Sequence, residues 1–119
     1  MSTFNLVNIH VTGYMDDVST AGQIYIPISD ETAGEVIEIR SALNGAIITA
    51  DAVITPKIGG TSMTNGVLTI TQSGSAAGDT DLSRPTGART VAAGDAIELE
   101  TSGASGNAVS VHFVITIKR

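Results

Sequence analysis

The stretch AVSVHFVITIK, residues 108–118, decides the fold. Val109, Val111, Phe113, Ile115 and Ile117 occupy every second position, with Ser110, His112, Thr116 and Lys118 between them. Side chains of an extended chain alternate between two faces. This period of two therefore predicts a β-strand with one face in a core and the other toward solvent. Val114 breaks the pattern as an apolar residue on the polar face.

Upstream runs repeat the theme. Ile24, Ile26 and Ile28 share a face, as do Ile37, Ile39 and Leu43, with Val36, Glu38 and Arg40 placed opposite. Ala52, Ile54 and Ile58 form another set, Leu68 and Ile70 a short one, and Ile97 and Leu99 alternate with Glu98 and Glu100. Proline has no amide hydrogen to give a sheet, so Pro27 and Pro56 each predict an edge strand or a bulge. Asn44-Gly45 and Asn65-Gly66 suit tight turns that need positive φ. Near the start, Phe4 and Leu6 are out of phase with Val7, Ile9 and Val11, which predicts either a bulge near Leu6–Val7 or a separate arm. No amphipathic helix longer than a turn or two is evident. These segments predict an all-β chain, an antiparallel β-sandwich of about eight strands, jelly-roll-like. Residues 1–12 read as an N-terminal strand or partner-contacting arm, and 13–119 as one sandwich domain with a long ordered connection at 72–95.

At 119 residues the chain suits one domain with a real core. It has no cysteine, which excludes disulfides, thiolate metal sites and a cysteine nucleophile, and fits folding in a reducing cytoplasm. A net charge of −6 and 3% aromatic residues disfavour binding to nucleic acid. No apolar run approaches a membrane span, and no signal peptide is evident. Charged residues are only 15%, against roughly 25% in ordinary soluble domains. Either Ser, Thr and Gly cover the surface, or part of it is buried in an assembly.

The segment SGSAAGDTDLSRPTGARTVAAGD, residues 73–95, is longer than a compact domain ordinarily leaves unstructured. Leu82, Pro85 and Val91 are spaced along it as apolar pegs, and Gly78 and Gly87 permit sharp turns. It predicts an ordered contact segment. Arg84 and Arg89 are expected to pair with its own acids. Asp79 and Asp81, with Asp95 if the loop folds back, raise the question of a Ca²⁺ site, and Asp16-Asp17 raises the same question; solvated loop acids are the favoured reading. Ala-Ala-Gly-Asp occurs at 76–79 and again at 92–95, which is read as composition rather than duplication.

Catalytic patterns are missing. His10 and His112 lack zinc-site spacing, and His112 falls on a polar strand face. There is no nucleophile elbow, no phosphate-binding loop and no dinucleotide fingerprint. The reading is no enzyme and no cofactor.

Taken together, Thr49–Ala52, Lys57–Gly60, Gly66–Thr71, Ser75–Asp79, Pro85–Thr86, Val91–Ile97 and Thr101–Gly103 resemble a family of small tailed-phage virion proteins, the head decoration or cement proteins. The resemblance covers roughly the C-terminal two thirds. It implies a β-sandwich without catalysis, located in the virion on the capsid surface, with the major capsid protein as partner and a homotrimer as the arrangement. Capsid stabilisation is the expected function. Phe4, Leu6, Leu82, Arg84 and Arg89 are the candidate partner or subunit contacts. The alternative is a tail- or fibre-associated module that recognises a host-surface glycan, for which Tyr14 and Tyr25 would be the aromatic platforms. A hydrolase has no supporting constellation.

Overall fold

The computed structural model describes residues 8–103 and 106–119. They form ten strands and no helix: β1 Asn8–Met15, β2 Gly22–Pro27, β3 Gly34–Leu43, β4 Ala52–Ile58, β5 Thr61–Ser62, β6 Leu68–Ile70, β7 Thr80–Ser83, β8 Thr90–Val91, β9 Ala96–Thr101 and β10 Val111–Lys118. Phe4, Leu6 and the expected bulge near Leu6–Val7 lie outside the described residues.

Two antiparallel sheets pack face to face. The first runs β1-β10-β3-β7, with β8 also on β3; the second runs β2-β9-β4-β5, with β6 also on β4. The pairing is nested. The first strand pairs the last, β2 pairs β9, β3 pairs β7 and β8, and β4 pairs β5 and β6. The sandwich thus has eight strand positions, and ten strands arise because two edge positions are each split into two short pieces.

The period-two strand behaves as its pattern demands. Val111, Phe113, Ile115 and Ile117 of β10 are fully buried, flanked by β1 on one side and β3 on the other. Val36, Ile39 and Leu43 of β3 and Ile54, Leu68, Ile70, Ile97 and Leu99 of the second sheet complete the core. Area removed from water is the main favourable term here, about 1.5–3 kcal/mol for each fully buried large aliphatic chain.

Two sequence expectations fail for backbone reasons. Val36 was placed opposite Ile39, yet both are buried. Thr116 faces Glu38 but Ile117 faces Val36, so Ile37 is an extra residue in a β-bulge that flips the phase of the strand. Pro56 was expected at an edge, but β4 is internal, with β9 on one side and β5 and β6 on the other. The sheet tolerates it because β6 pairs with Ala52–Ile54 and β5 only with Lys57–Ile58, so Pro56 falls in the gap between them. Its carbonyl accepts from Met63 N at 2.9 Å. Pro27, by contrast, does lie in an edge strand, β2.

The two Ala-Ala-Gly-Asp sequences adopt one shared turn. Gly78 and Gly94 have φ of 90° and 92°, the third-position geometry of a type II turn. Asp79 Oδ2 accepts from Ala76 N at 2.9 Å, and Asp95 Oδ2 from Ala92 N at 2.8 Å. Each turn also clasps an earlier strand end. Gly78 N donates to Leu43 O while Leu43 N donates to Asp79 O, and Gly94 N and Asp95 O bind Ile28 in the same way. Composition alone does not account for the repeat, because the four residues perform the same job twice.

Candidate partner-contact face

The candidate surface follows from alternation. Inward residues of β1, β10, β3 and β7 build the core, so their outward residues must share the outer face of the first sheet. Register then sets the rows. Tyr14 lies beside His112, which lies beside Ala42 and then Thr80. One row on, Thr12, Val114, Arg40 and Leu82 stand side by side. Tyr14, Val114 and Leu82 are 50%, 38% and 39% exposed, so three of the large exposed apolar side chains share this face. The Tyr14 and His112 rings contact each other, with centroids 4.9 Å apart.

The charge on this face is organised around β3. Glu38 Oε1 accepts from Arg40 Nε at 3.1 Å, and Arg84 Nη2 reaches Glu38 Oε2 at 3.5 Å. The Arg40 hydrogen bond, assisted by the charge of Arg40 and Arg84, holds the Glu38 carboxyl below its ordinary value. With Lys118 also outward on β10 and Glu35 beside it on β3, the cations Arg40, Arg84 and Lys118 face the acids Glu38 and Glu35, on a chain whose net charge is −6. The outer face of the second sheet is different. Tyr25, Glu98 and Lys57 stand in one row. Lys57 Nζ lies 3.0 Å from Glu100 Oε1, and that contact raises the Lys57 pKa.

Of the sequence-derived candidates, Leu82 and Arg84 come together on the first sheet's outer face. Arg89 does not join them. Its Nη1 donates to Pro85 O at 2.9 Å and its Nη2 pairs with Glu35 at 3.0 Å, at the flank of the sandwich. Neither arginine pairs with an acid of its own segment, as had been expected, because the segment forms β7 and β8 against β3 and so presents its arginines to the β3 glutamates. Tyr14, weighed from sequence only as a glycan platform, belongs to the face; so do Thr12, Val114 and Arg40, which were not among the candidates. The one signal for them was Val114, apolar where the alternation called for a polar residue.

Asp79 and Asp95 spend their carboxylates on their own turns, and Asp81 sits in β7. Among the described residues, no three His, Cys, Asp or Glu side chains are grouped to hold a metal ion. His112 is exposed beside Tyr14. The face combines apolar area from Tyr14, Val114 and Leu82 with the guanidinium group of Arg40, which stands between Val114 and Leu82, and that of Arg84.

No protein-family model matches the chain, and no curated protein matches it in sequence. Solved structures do share its fold. A chain from the acidic stable capsid structure of Helicobacter pylori bacteriophage KHP30 superposes with a TM-score of 0.59 at 14% identity, over 95% of this chain and 88% of that one. A chain of the cyanophage Pam1 capsid asymmetric unit gives 0.50 at 12% identity, over 99% and 89%. The carbohydrate-binding module CBM36, in complex with calcium and xylotriose, gives 0.43 at 15% identity, over 90% and 99%. At these identities the likeness to the two phage capsid chains establishes a shared all-β sandwich.

Proposed function

We propose that this chain is a non-enzymatic structural protein of a phage virion, and within that class a capsid decoration, or cement, protein. One observation carries the reading: the sandwich matches chains from two phage capsid structures over nearly its whole length and most of theirs. The nested strand pairing supports describing it as a jelly roll. The contact with the major capsid protein is assigned to the outer face of the first sheet, where Leu82, Val114 and Tyr14 supply apolar area and Arg40 and Arg84 supply charge. The N-terminal segment with Phe4 and Leu6 is assigned as a second contact. Of these, Tyr14 and the two arginines are the residue types that carry most binding energy at protein interfaces.

Purified protein mixed with capsids that lack it should cosediment at fixed stoichiometry and raise the temperature at which the shells open. The double variant Leu82→Asp/Arg84→Glu should weaken capsid binding by roughly tenfold or more, since an exposed apolar contact and its neighbouring charge are both lost. Deleting residues 2–7 should abolish binding with the fold intact by circular dichroism. No binding to shells overturns the proposal. Binding to host cells in place of shells favours the glycan-recognition reading. Tyr14 and Tyr25 line one groove with Gln23, and they are the side chains to test in that case.

A further inference from the structure

A sandwich of this kind has four sheet edges, and here three of them are blunted. The first sheet ends on one side in β7 and β8, of four and two residues, interrupted by the buried Pro85. The second sheet ends on that side in β5 and β6, of two and three residues. Its other edge, β2, carries Pro27. Short strands and prolines are the devices by which folded proteins prevent their edges from pairing with other chains. The fourth edge, β1, has none of them. It is eight residues long, NIHVTGYM, with no proline, lysine, arginine or acid, and among the described residues it pairs only with β10.

The flank beside it is also incompletely covered. Ile9 and Val11 of β1 and Ile24 of β2 are only partly buried, and Val11 and Ile24 pack against the core from there. Gly13 packs tightly against the second sheet on this flank. A side chain there would run into Ile26 Cδ1 at 2.7 Å and Ile24 Cδ1 at 3.1 Å. The backbone edge and the apolar strip behind it are therefore both unpartnered among the described residues.

We infer that β1 pairs antiparallel with β1 of a second copy across a twofold axis, joining the first sheets of two subunits into one continuous sheet. The occupant is argued from self-complementarity. A twofold axis normal to the sheet keeps each side chain on its own face, so paired residues must share a face. Centred on Val11, the register sets Val11 against Val11, Ile9 against Gly13, His10 against Thr12 and Asn8 against Tyr14. No charged pair is brought together. Gly13 sets no side chain of its own against Ile9 of the other copy, and Ile9 lies in line with the partly buried Val11 and Ile24. Isologous pairing of one patch with itself is the commonest route to a soluble homo-oligomer. The inference concerns the backbone edge of β1, whereas capsid binding is assigned to the outer sheet face that β1 shares through Thr12 and Tyr14; the solution mass without capsids reads the edge alone.

The test is the mass of the full chain in solution, by sedimentation equilibrium across a dilution series. The expected result is a species of twice the 12.1 kDa subunit mass. His10→Asp/Thr12→Asp places carboxylates opposite carboxylates on the exposed face and should raise the dimer dissociation constant roughly a hundredfold, because like charges directly opposite repel. The same chain mixed with His10→Lys/Thr12→Lys should recover a heterodimer. Circular dichroism should show both variants folded, since both side chains point to solvent. A monomer at every concentration overturns the inference, as does a trimer, the arrangement implied by resemblance to decoration proteins. A dimer indifferent to these substitutions overturns it too. So does a chain that dimerises only after residues 2–7 are deleted, because the edge would then be covered by its own N-terminal segment.

Discussion

The two flanks of the sandwich solve the same problem differently. At the flank of β5 to β8 the sheets are sewn together. Ser83 Oγ donates to Gly66 O at 2.7 Å, Thr64 N donates to Gly87 O and Thr86 N to Thr64 O, and Asn65 Nδ2 donates to Thr86 Oγ1 at 2.8 Å. At the flank of β1 and β2 the sheets meet by apolar contact at Gly13, and three aliphatic side chains remain half open. The first flank completes itself with polar bonds inside the subunit. The second leaves a backbone edge and an apolar strip unpartnered among the described residues. A closed flank should therefore be sensitive to substitution in the isolated subunit, and an open one chiefly in the assembly.

The largest expected effect is at the closed flank. A side chain at Gly66 would come within 2.8 Å of Pro56 Cγ and 2.9 Å of Met63 Cβ. Gly66→Ala should cost about 2–3 kcal/mol in urea unfolding, the range for overpacking a filled site. Ser83→Ala is next. It leaves the Gly66 carbonyl without its buried donor and should cost about 1–2 kcal/mol. The outward His10 and Thr12 substitutions at the open flank should leave unfolding of the monomer almost unchanged. Equal losses at both flanks would end the contrast drawn here.

The twin turns sharpen it further. Asp79→Ala and Asp95→Ala each remove one carboxylate-to-amide bond from the same geometry, so each should cost about 1 kcal/mol, and the two should agree closely. Unequal losses would show that the strand end each turn clasps, Leu43 or Ile28, matters more than the turn itself.

The smallest effect is electrostatic and lies next to the first turn. Burial raises the Asp81 carboxyl above its ordinary value of 3.8, against the pull of the Thr71 amide and with help from Asp79 and Asp51. A raised carboxyl favours the folded state when protonated. That contribution is fully present below pH 3.8 and is lost as pH climbs through the folded value. Asp81→Asn should stabilise the protein at neutral pH by less than about 1 kcal/mol, given how exposed the group is, and should bring no gain near pH 3. Thermal melts at the two pH values measure the difference.

Much of this architecture was legible from periodicity. The alternation in residues 109–117 placed β10 in the core, and Leu68, Ile70, Ile97 and Leu99 fell inward as read. The illegible parts depend on partners distant in sequence. Val36 is buried because Ile37 bulges against Thr116 and Ile117, and no local pattern reports a bulge. Pro56 is tolerated inside a sheet because two short strands leave a gap beside it. Arg84 and Arg89 choose Glu38 and Glu35 over nearer acids because β7 and β8 lie along β3. Of the candidate contacts, Leu82 and Arg84 could be named from composition. The row joining Leu82 to Arg40, Val114 and Thr12 could not, since it exists only in the register of four strands.

By itself, then, the sequence determined a β-rich chain with one apolar face per strand, no thiol chemistry and a shortage of surface charge. Each of these is a property of a residue and its immediate neighbours. Tertiary structure alone decided which faces share a surface, which prolines are tolerated and which edge stays open. Register and strand order are set by pairing across tens of residues, where the chain's local preferences no longer discriminate.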